Sequence, residues 1–279
     1  MANALELDHT VINVRFAMDR AAPMFEALGF TLTPRGYHSL GSINHLMMFG
    51  TDYFELIGLP VGTDTDRPDI SESPDGINGL VFKTADVDET FAHLKTLDMD
   101  GAAPHAFSRP VKLADGEFPA KFRTVTARPG TFPGGRVYFC EHGTPELVWR
   151  PEWQSHRNQA TAMSDFVVAS TTPEAEATRF SQLTHGQLSS VGDGHFEIAL
   201  AKSRITVLSV DRYGERFGAL ASAMADRPSI FGALTFTTTS LAGVRAIAEA
   251  LPASMPSTIE DNRVVIRVSD FDSVLEFVE

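Results

Sequence analysis

The chain has only one cysteine among its 279 residues. Cys140 therefore has no partner for an internal disulfide, a pattern typical of proteins in a reducing compartment. Long apolar runs are also missing, because no segment approaches the roughly 20 apolar residues that a membrane-spanning helix needs. The first residues lack the basic start and apolar run of a signal peptide. These absences lead us to expect a cytoplasmic protein that does not enter a membrane.

Basic residues are scarce relative to acidic ones. The 23 lysines and arginines face 36 aspartates and glutamates, which gives a formal charge of −13. A surface this acidic repels phosphate backbones, so we expect no nucleic-acid partner. Apolar residues make up 43% of the chain and charged residues 21%, as in ordinary globular proteins. The length suits one large domain or two smaller ones.

One sequence pattern occurs four times. An apolar strand is followed by an amphipathic helix and then by two or three further strand candidates. The four initial strands are predicted at Leu7–Val14, Ile77–Lys83, Asp165–Ala169 and Phe231–Thr237. Asp86 and Ser240 are typical residues to cap the second and fourth helices, and Thr172 before Pro173 is typical of a helix start.

Two segments interrupt this pattern. Residues 102–119, rich in proline, glycine and charge, predict an inserted loop, and the polar stretch 151–162 predicts a linker. We therefore expect an α+β fold of four βαβββ modules, paired into two domains at residues 1–155 and 162–279. A repeated ferredoxin-like sandwich is the alternative, which the single helix per repeat disfavours.

A histidine on the first strand and a glutamate on the last strand of the first module form the clearest candidate site. Residues two apart in a strand share a face, so His9 and Glu55 can point into one cavity if their strands pair. Imidazole nitrogen and carboxylate oxygen suit Zn²⁺, Mn²⁺, Fe²⁺ or Ni²⁺. The alternative is a hydrogen-bonded histidine at a strand end and a partly exposed glutamate.

The second module repeats the glutamate but not the histidine. The segment Thr144–Trp149, with a predicted strand at Glu146–Trp149, aligns on Asp52–Ile57 through a shared Glu-Leu-aliphatic core, which makes Glu146 the counterpart of Glu55. Gly79 stands in the place of His9. The predicted metal ligands are therefore His9, Glu55 and Glu146, and the predicted acid–base residues are Glu55, Glu146 and His45.

Further polar residues near these strands are candidates for substrate binding. An arginine that points into a cup is a good clamp for a carboxylate. Loops concentrate binding groups. The candidates are His38, Asn44, Arg109, Arg123 and His142. For His142 the alternative is a turn cap, for His45 a position facing the helix, and for the two arginines a surface salt bridge.

Two stretches resemble a known family. Residues 29–45 (GFTLTPRGYHSLGSINH) and 137–153 (VYFCEHGTPELVWRPEW) are similar to a bacterial, glyoxalase-like branch of the vicinal oxygen chelate superfamily. The resemblance covers about residues 5–155 and is weaker for 162–279. There, Phe166 and Gly232 take the place of His9, and Glu276 alone echoes Glu55.

The resemblance implies paired modules that form an open cup around a divalent metal, held by three or four protein ligands. It implies a metal-dependent lyase or isomerase that acts on a small oxygenated substrate, acidic or aromatic, and polarises a carbonyl. Gly79 keeps open the alternative of a non-catalytic binding protein. A ring-cleaving dioxygenase ranks below both, because the second strand histidine is missing, and a purely structural protein is a last alternative. Exposed sheet edges make a homodimer possible.

Overall fold

Two eight-stranded sheets form the framework of the computed structural model, which describes residues 3–63, 67–113 and 115–279. The strands of the first sheet are β1 (Leu7–Arg15), β2 (Gly36–Tyr37), β3 (Ile43–Met48), β4 (Tyr53–Gly58), β5 (Gly76–Lys83), β6 (His105–Leu113), β7 (Gly116–Thr126) and β8 (Arg136–His142). Their order is β2-β3-β4-β1-β5-β8-β7-β6.

The second sheet repeats this arrangement. Its strands are β9 (Ala160–Ser170), β10 (Gln187–Gly192), β11 (His195–Ala199), β12 (Arg204–Ser209), β13 (Ser229–Thr238), β14 (Ser257–Ile259), β15 (Arg263–Val268) and β16 (Ser273–Val278). Their order is β10-β11-β12-β9-β13-β16-β15-β14. Each half of a sheet is thus one module whose first strand lies at the centre.

A helix connects the first strand of every module to its other strands. The helices are α1 (Met18–Ala27), α2 (Pro68–Ser71), α3 (Val87–Thr96), α4 (Pro173–Thr184), α5 (Val210–Phe217) and α6 (Leu241–Glu249), of which α1, α3, α4 and α6 make these connections. Asp86 accepts hydrogen bonds from the backbone of Asp88 and Glu89, and Ser240 accepts one from Gly243, as their sequence positions predict. The expected α+β fold of four βαβββ modules is confirmed. No described helix has both the length and the apolar character needed to cross a membrane.

One hydrophobic core lies between the helix-bearing faces of the two sheets. Phe132 of the first half stacks on Phe180 of the second at 4.4 Å. The segment predicted as a linker packs into the fold, since His156 donates to the carbonyl of Met48 and Asn158 is fully buried. The domain boundary at 155–162 therefore stays a prediction.

The first sheet curls until its edges meet, and this closes the cup. The backbone N–H of Ser39, just after β2, donates to the carbonyl of Ser108 on β6. The prediction of a loop over residues 102–119 was wrong, because β6 and β7 form a long hairpin there. The hairpin was not expected because each of its strands contains a proline, Pro110 and Pro119, which lie opposite each other. This part of β7 does not pair with β8, so the missing proline N–H groups break no hydrogen bond to a third strand.

The second sheet has no comparable cup, because its own chain fills it. Tyr213 and Phe217 of α5 pack against the concave face, and Tyr213 donates a hydrogen bond to the carbonyl of Gly232 at 2.9 Å. Glu276 is held by Arg216 at 2.5 Å and by Arg263 at 3.0 Å. The counterpart of Glu55 is thus neutralised inside a packed face.

Candidate active site

A cavity of about 560 Å³ lies on the concave face of the first sheet. This volume suits a small molecule. Five of the predicted site residues line the cavity: His9, His38, Asn44, Glu55 and Arg109. Parallel pairing of β1 with β4 brings His9 and Glu55 together. In this register His9 lies opposite Tyr53, and Val11, two residues on, lies opposite Glu55.

His9 is almost fully buried, with 3% of its surface exposed, at the bottom of the cavity. Its Nε2 atom lies 3.5 Å from Oε2 of Glu55 and 3.3 Å from the hydroxyl of Tyr138. The imidazole stacks on Tyr53 with ring centres 4.3 Å apart, which fixes the plane of the ring. Imidazole, carboxylate and phenol therefore converge at one point.

Asp8 holds the other nitrogen of His9. Its Oδ1 accepts a hydrogen bond from Nδ1 of His9 at 2.5 Å, and its Oδ2 accepts one from Nε2 of His142 at 2.9 Å. A register shift in the β1–β5 ladder between Leu7 and His9 allows these neighbours to meet. Burial alone would raise the pKa of Asp8, but the hydrogen bonds from the two histidines outweigh it and hold the pKa below its usual range. An ionised Asp8 keeps the proton of His9 on Nδ1 and leaves Nε2 free as a ligand or base.

The second oxygen of Glu55 is also held. Nδ2 of Asn44 donates to Oε1 of Glu55 at 2.7 Å. His38 lies beyond Asn44 and contacts Ser42 through Nδ1 at 2.8 Å. Burial, together with the guanidinium groups of Arg109 and Arg67, lowers the pKa of His38 to about 3, so this histidine is neutral. Oε2 of Glu55 is thus the oxygen directed toward His9.

Arg109 lies on β6 and is 4% exposed. It forms no ion pair with any residue in the described ranges, and its Nη2 has no hydrogen-bond partner there. Burial lowers its pKa, yet an arginine side chain stays protonated in proteins. Gly36 makes room for it, because a Cβ at position 36 would lie 3.4 Å from the guanidinium and 2.2 Å from Oδ1 of Asn44. A buried cation without a partner is expensive unless it binds an anion.

The structure places four predicted residues outside the cavity lining: Glu146, His45, Arg123 and His142. Glu146 is exposed in a short 3₁₀ turn, Pro145–Leu147, so the predicted strand at Glu146–Trp149 was wrong. Proline at the start of the turn prevents the strand that the Glu-Leu similarity suggested. The residue on β8 that corresponds to Glu55 is Tyr138, since it lies opposite Val81 as Glu55 lies opposite Val11.

His45 and Arg123 point away from the cavity because strand residues alternate between faces. Asn44 faces the cavity, so His45 does not, and its Nδ1 donates to the carbonyl of Thr33 at 2.8 Å. Phe122 lines the cavity, so Arg123 is directed outward, where it pairs with Asp88 at 2.8 Å. His142 also lies outside the lining, and it reaches the site through its hydrogen bond to Asp8 and through edge contacts with the lining rings of Tyr53 and Phe122.

Sequence reasoning missed Asp8, Tyr138 and two arginines of the cavity wall, Arg67 and Arg136. Both arginines bind Asp69, at 2.9 Å and 2.7 Å. Asp8 was overlooked because a regular strand would place it on the face opposite His9. No sequence signal marks the bulge.

The donor atoms fit one half of a metal site. Two ligands of a tetrahedral ion with bonds of about 2.1 Å lie roughly 3.4 Å apart, close to the 3.5 Å between Nε2 of His9 and Oε2 of Glu55. The hydroxyl of Tyr138 is a third donor, although burial raises the pKa of this phenol. The second module supplies no matching histidine, because Gly79 stands in the place of His9. A side chain does not fit there, since a Cβ at position 79 would lie 2.8 Å from Cβ of Val11.

A second group of donors lies behind His9. The ligand atoms of Asp8, Cys140 and His142 all lie within 4.8 Å of one another. Asp8 already accepts hydrogen bonds from two histidines, and burial raises the pKa of the Cys140 thiol well above its usual value, so the thiol stays protonated. This group therefore supports His9 better than it would hold an ion.

Comparison with known proteins identifies the family. Residues 7–184 match the family described as a glyoxalase-like domain. The chain belongs to this family. The matched residues span the whole first sheet and, in the second half, β9 and α4. A search of curated proteins finds no match to the chain.

Solved structures share the fold of this glyoxalase-like protein over nearly its whole length. A hypothetical protein from Staphylococcus aureus is 13% identical, with a TM-score of 0.65 and 98% of each chain covered. The Mn(II)-bound glyoxalase from Novosphingobium aromaticivorans is 14% identical, with a TM-score of 0.62, 99% of this chain covered and 82% of that one. A mutant of 4-hydroxymandelate synthase from Streptomyces coelicolor is 12% identical, with a TM-score of 0.59, 99% of this chain covered and 93% of that one.

Proposed function

We propose that this glyoxalase-like protein is a metal-dependent lyase or isomerase that acts on a small oxygenated carboxylate in the cup of the first sheet. The observation that carries the proposal is the convergence of Nε2 of His9 and Oε2 of Glu55, 3.5 Å apart, in a cavity that also holds the guanidinium of Arg109, which forms no ion pair with any described residue. The likeness in fold to a Mn(II)-bound glyoxalase is consistent with it.

His9 and Glu55 would hold the divalent metal, with the hydroxyl of Tyr138 as a third donor. A bound ion supplies a Lewis acid that polarises a carbonyl oxygen of the substrate. Asp8 orients His9 for this role, as carboxylates behind metal-bound histidines commonly do. The family pattern of three or four protein ligands is therefore met only if Tyr138 takes part.

Arg109 binds and orients the substrate. Its planar guanidinium pairs with a carboxylate through two parallel hydrogen bonds, which fixes direction as well as position. Phe107 and Phe122 stack at 5.1 Å beside it and form an apolar wall. This wall excludes water from the bound carboxylate and strengthens its attraction to the arginine.

Glu55 is the group that transfers a proton. Asp69, the other carboxylate in the described part of the lining, is occupied by Arg67 and Arg136. Asn44 holds Oε1 of Glu55, so Oε2 is the oxygen left for both roles, metal binding and proton transfer, and it would accept a proton from a carbon next to a carbonyl only when it is not bound to the metal. Proton abstraction of this kind suits a lyase or an isomerase.

A second candidate function is the sequestration of a small acid without catalysis. It is favoured by the second module, which offers neither a histidine nor a carboxylate to a metal. Val11 fills the space at Gly79, the position of the histidine, and Tyr138 lies at the position that corresponds to Glu55. A ring-cleaving dioxygenase ranks below it, because its triad needs a second imidazole, and His38 is engaged with Ser42 and Asn44.

Elemental analysis of protein purified without a chelating tag tests the proposal. We expect stoichiometric metal in the unmodified protein and in His45→Ala, whose side chain lies outside the cavity, and loss of metal in His9→Ala and Glu55→Gln. Retention of metal in His9→Ala would overturn the assignment of the ligands. An unmodified protein without metal that still binds small aromatic acids would favour sequestration.

Proton exchange tests the reaction. Aromatic 2-oxo and 2-hydroxy carboxylates are incubated with the protein in deuterated water and followed by NMR. We expect deuterium at the carbon next to the carbonyl in at least one of them, lost in Glu55→Gln and kept in Glu146→Gln. Equal exchange in both variants would remove the proposed role of Glu55.

A further inference from the structure

The C-terminal half contributes one residue to the wall of the cavity among those the structure describes. Arg227 lies in the connection that precedes β13, whereas the other described lining residues come from the first half. It follows Ala225 and Asp226, whose φ angles of 47° and 62° are left-handed. A backbone hydrogen bond from Arg227 to the carbonyl of Met224, 2.9 Å, closes this turn. The chain thus turns sharply to present an arginine to the cavity of the other sheet.

The position of Arg227 relative to the cup is fixed by close packing. Gly134 and Gly135, in the cavity wall just before β8, lie directly on Phe231 of β13. A Cβ at Gly134 would lie 2.7 Å from that ring, and one at Gly135 would lie 2.5 Å from it. The wall and the C-terminal half therefore meet without intervening side chains, a few residues from Arg227.

The charges that line the cavity are out of balance. Among the lining residues that the structure describes, five arginines face two carboxylates. The arginines are Arg67, Arg109, Arg128, Arg136 and Arg227. Asp69 binds two of them, and Arg128 pairs with Asp98 and Asp100, which lie outside the cavity. Arg109 and Arg227 form no ion pair with any residue of the described ranges. In a chain with a formal charge of −13, this concentration of positive charge is local and attracts anions.

We propose that the substrate carries two carboxylates, one bound by Arg109 and the other by Arg227. The proposal rests on the proposed function for the first carboxylate and extends it for the second. A dicarboxylate that spans the cavity would use the two lining guanidiniums that form no ion pair within the described residues; Nε of Arg227 donates to a backbone carbonyl, that of Met224 at 3.4 Å. The C-terminal half, whose own cup is filled, then serves the site by supplying a residue that determines specificity.

Binding of matched mono- and dicarboxylates tests this inference. The probes are benzoate and terephthalate, and the mono- and dicarboxylates of biphenyl, measured by calorimetry on the full-length protein. We expect one dicarboxylate to bind at least tenfold more tightly than its matched monocarboxylate. Arg227→Gln should remove that preference, whereas Arg227→Lys should keep part of it.

Arg212→Gln is the control, because Arg212 is an exposed arginine of the same half that pairs with Glu215. It should keep the full preference. Equal affinity for both members of each pair, or a preference that survives in Arg227→Gln, would overturn the inference. Monocarboxylate binding that is insensitive to Arg109→Gln would instead contradict the proposed function, and it would be seen independently of Arg227. Binding of none of the four probes would overturn both.

Discussion

Asp8 and His9 are neighbours in sequence, yet their side chains meet on the same side of β1. The carboxylate of Asp8 accepts a hydrogen bond from Nδ1 of His9 at 2.5 Å. The register shift between Leu7 and His9 makes this contact possible. The pair resembles the carboxylate–histidine arrangement behind many metal ions, in which the carboxylate fixes the ring and its tautomer.

Asp8→Asn should weaken metal binding without removing it. The neutral amide cannot stabilise the Nδ1 proton of His9 as a carboxylate does, so we expect metal affinity to fall about 10- to 100-fold. Competition with a chromophoric chelator measures this change. Asp88→Asn, on the outer surface of α3, is the matched control and should bind metal normally. Equal affinity in the two variants would show that Asp8 has no role in holding His9.

Gly79 and Val11 share one space, so a side chain at position 79 should destabilise the fold. Gly79→Ala brings a Cβ to 2.8 Å from Cβ of Val11. Overpacking of this kind costs about 1–3 kcal/mol of the free energy of unfolding. Urea denaturation measures it. In the Val11→Gly background the same substitution should cost less, because the opposing Cβ is gone. Strictly additive effects would argue against the clash.

Arg109→Met should separate stability from binding. Removing a buried cation that has no ion-pair partner among the described residues relieves a desolvation cost on the order of several kcal/mol, so we expect a higher melting temperature. The same change should weaken the binding of aromatic carboxylates by two orders of magnitude or more. Calorimetry and thermal melting give the two readouts. A variant that is less stable and still binds would contradict the assignment of Arg109 as an anion site.

Asp52 should make stability depend on pH. It is 5% exposed and accepts a hydrogen bond from the backbone of Met163 across the junction of the two sheets. Burial raises its pKa to about 7, whereas the pKa of an aspartate in an unfolded chain is about 3.9. The folded state therefore binds the proton more tightly, and its stability falls as the pH rises from about 4 through 7.

Asp52→Asn removes this titration and keeps an acceptor for Met163. We expect the unmodified protein to lose on the order of 2–4 kcal/mol of unfolding free energy between pH 4 and pH 8 through this residue, and the variant to lose less. Urea denaturation at both pH values measures the difference. Asp211→Asn, at an exposed site, is the control. Parallel pH profiles for the unmodified protein and Asp52→Asn would rule out this carboxyl group as the cause.

Local sequence patterns predicted the modules because the forces that form them are local. Helix caps such as Asp86 and Ser240 bind backbone groups two or three residues away, and the central strand β5 is buried on both faces. The placement of His9 and Glu55 in one cavity also follows from local periodicity, once β1 and β4 pair. By the same periodicity, alternation could have excluded Arg123, since Phe122 and Thr124 face the cavity.

The sequence by itself determined the four modules and the half-site of His9 and Glu55, because periodicity and capping act over a few residues. Only the tertiary structure decided that Tyr138, and not Glu146, joins His9 and Glu55 in the cavity. It likewise decided that the β6–β7 hairpin places Arg109 in the cavity wall. It also decided that Asp8 joins His9 and that Arg227 reaches the cavity from the other half. These features depend on strand register, a bulge and contacts between distant segments, which are set when the whole chain packs.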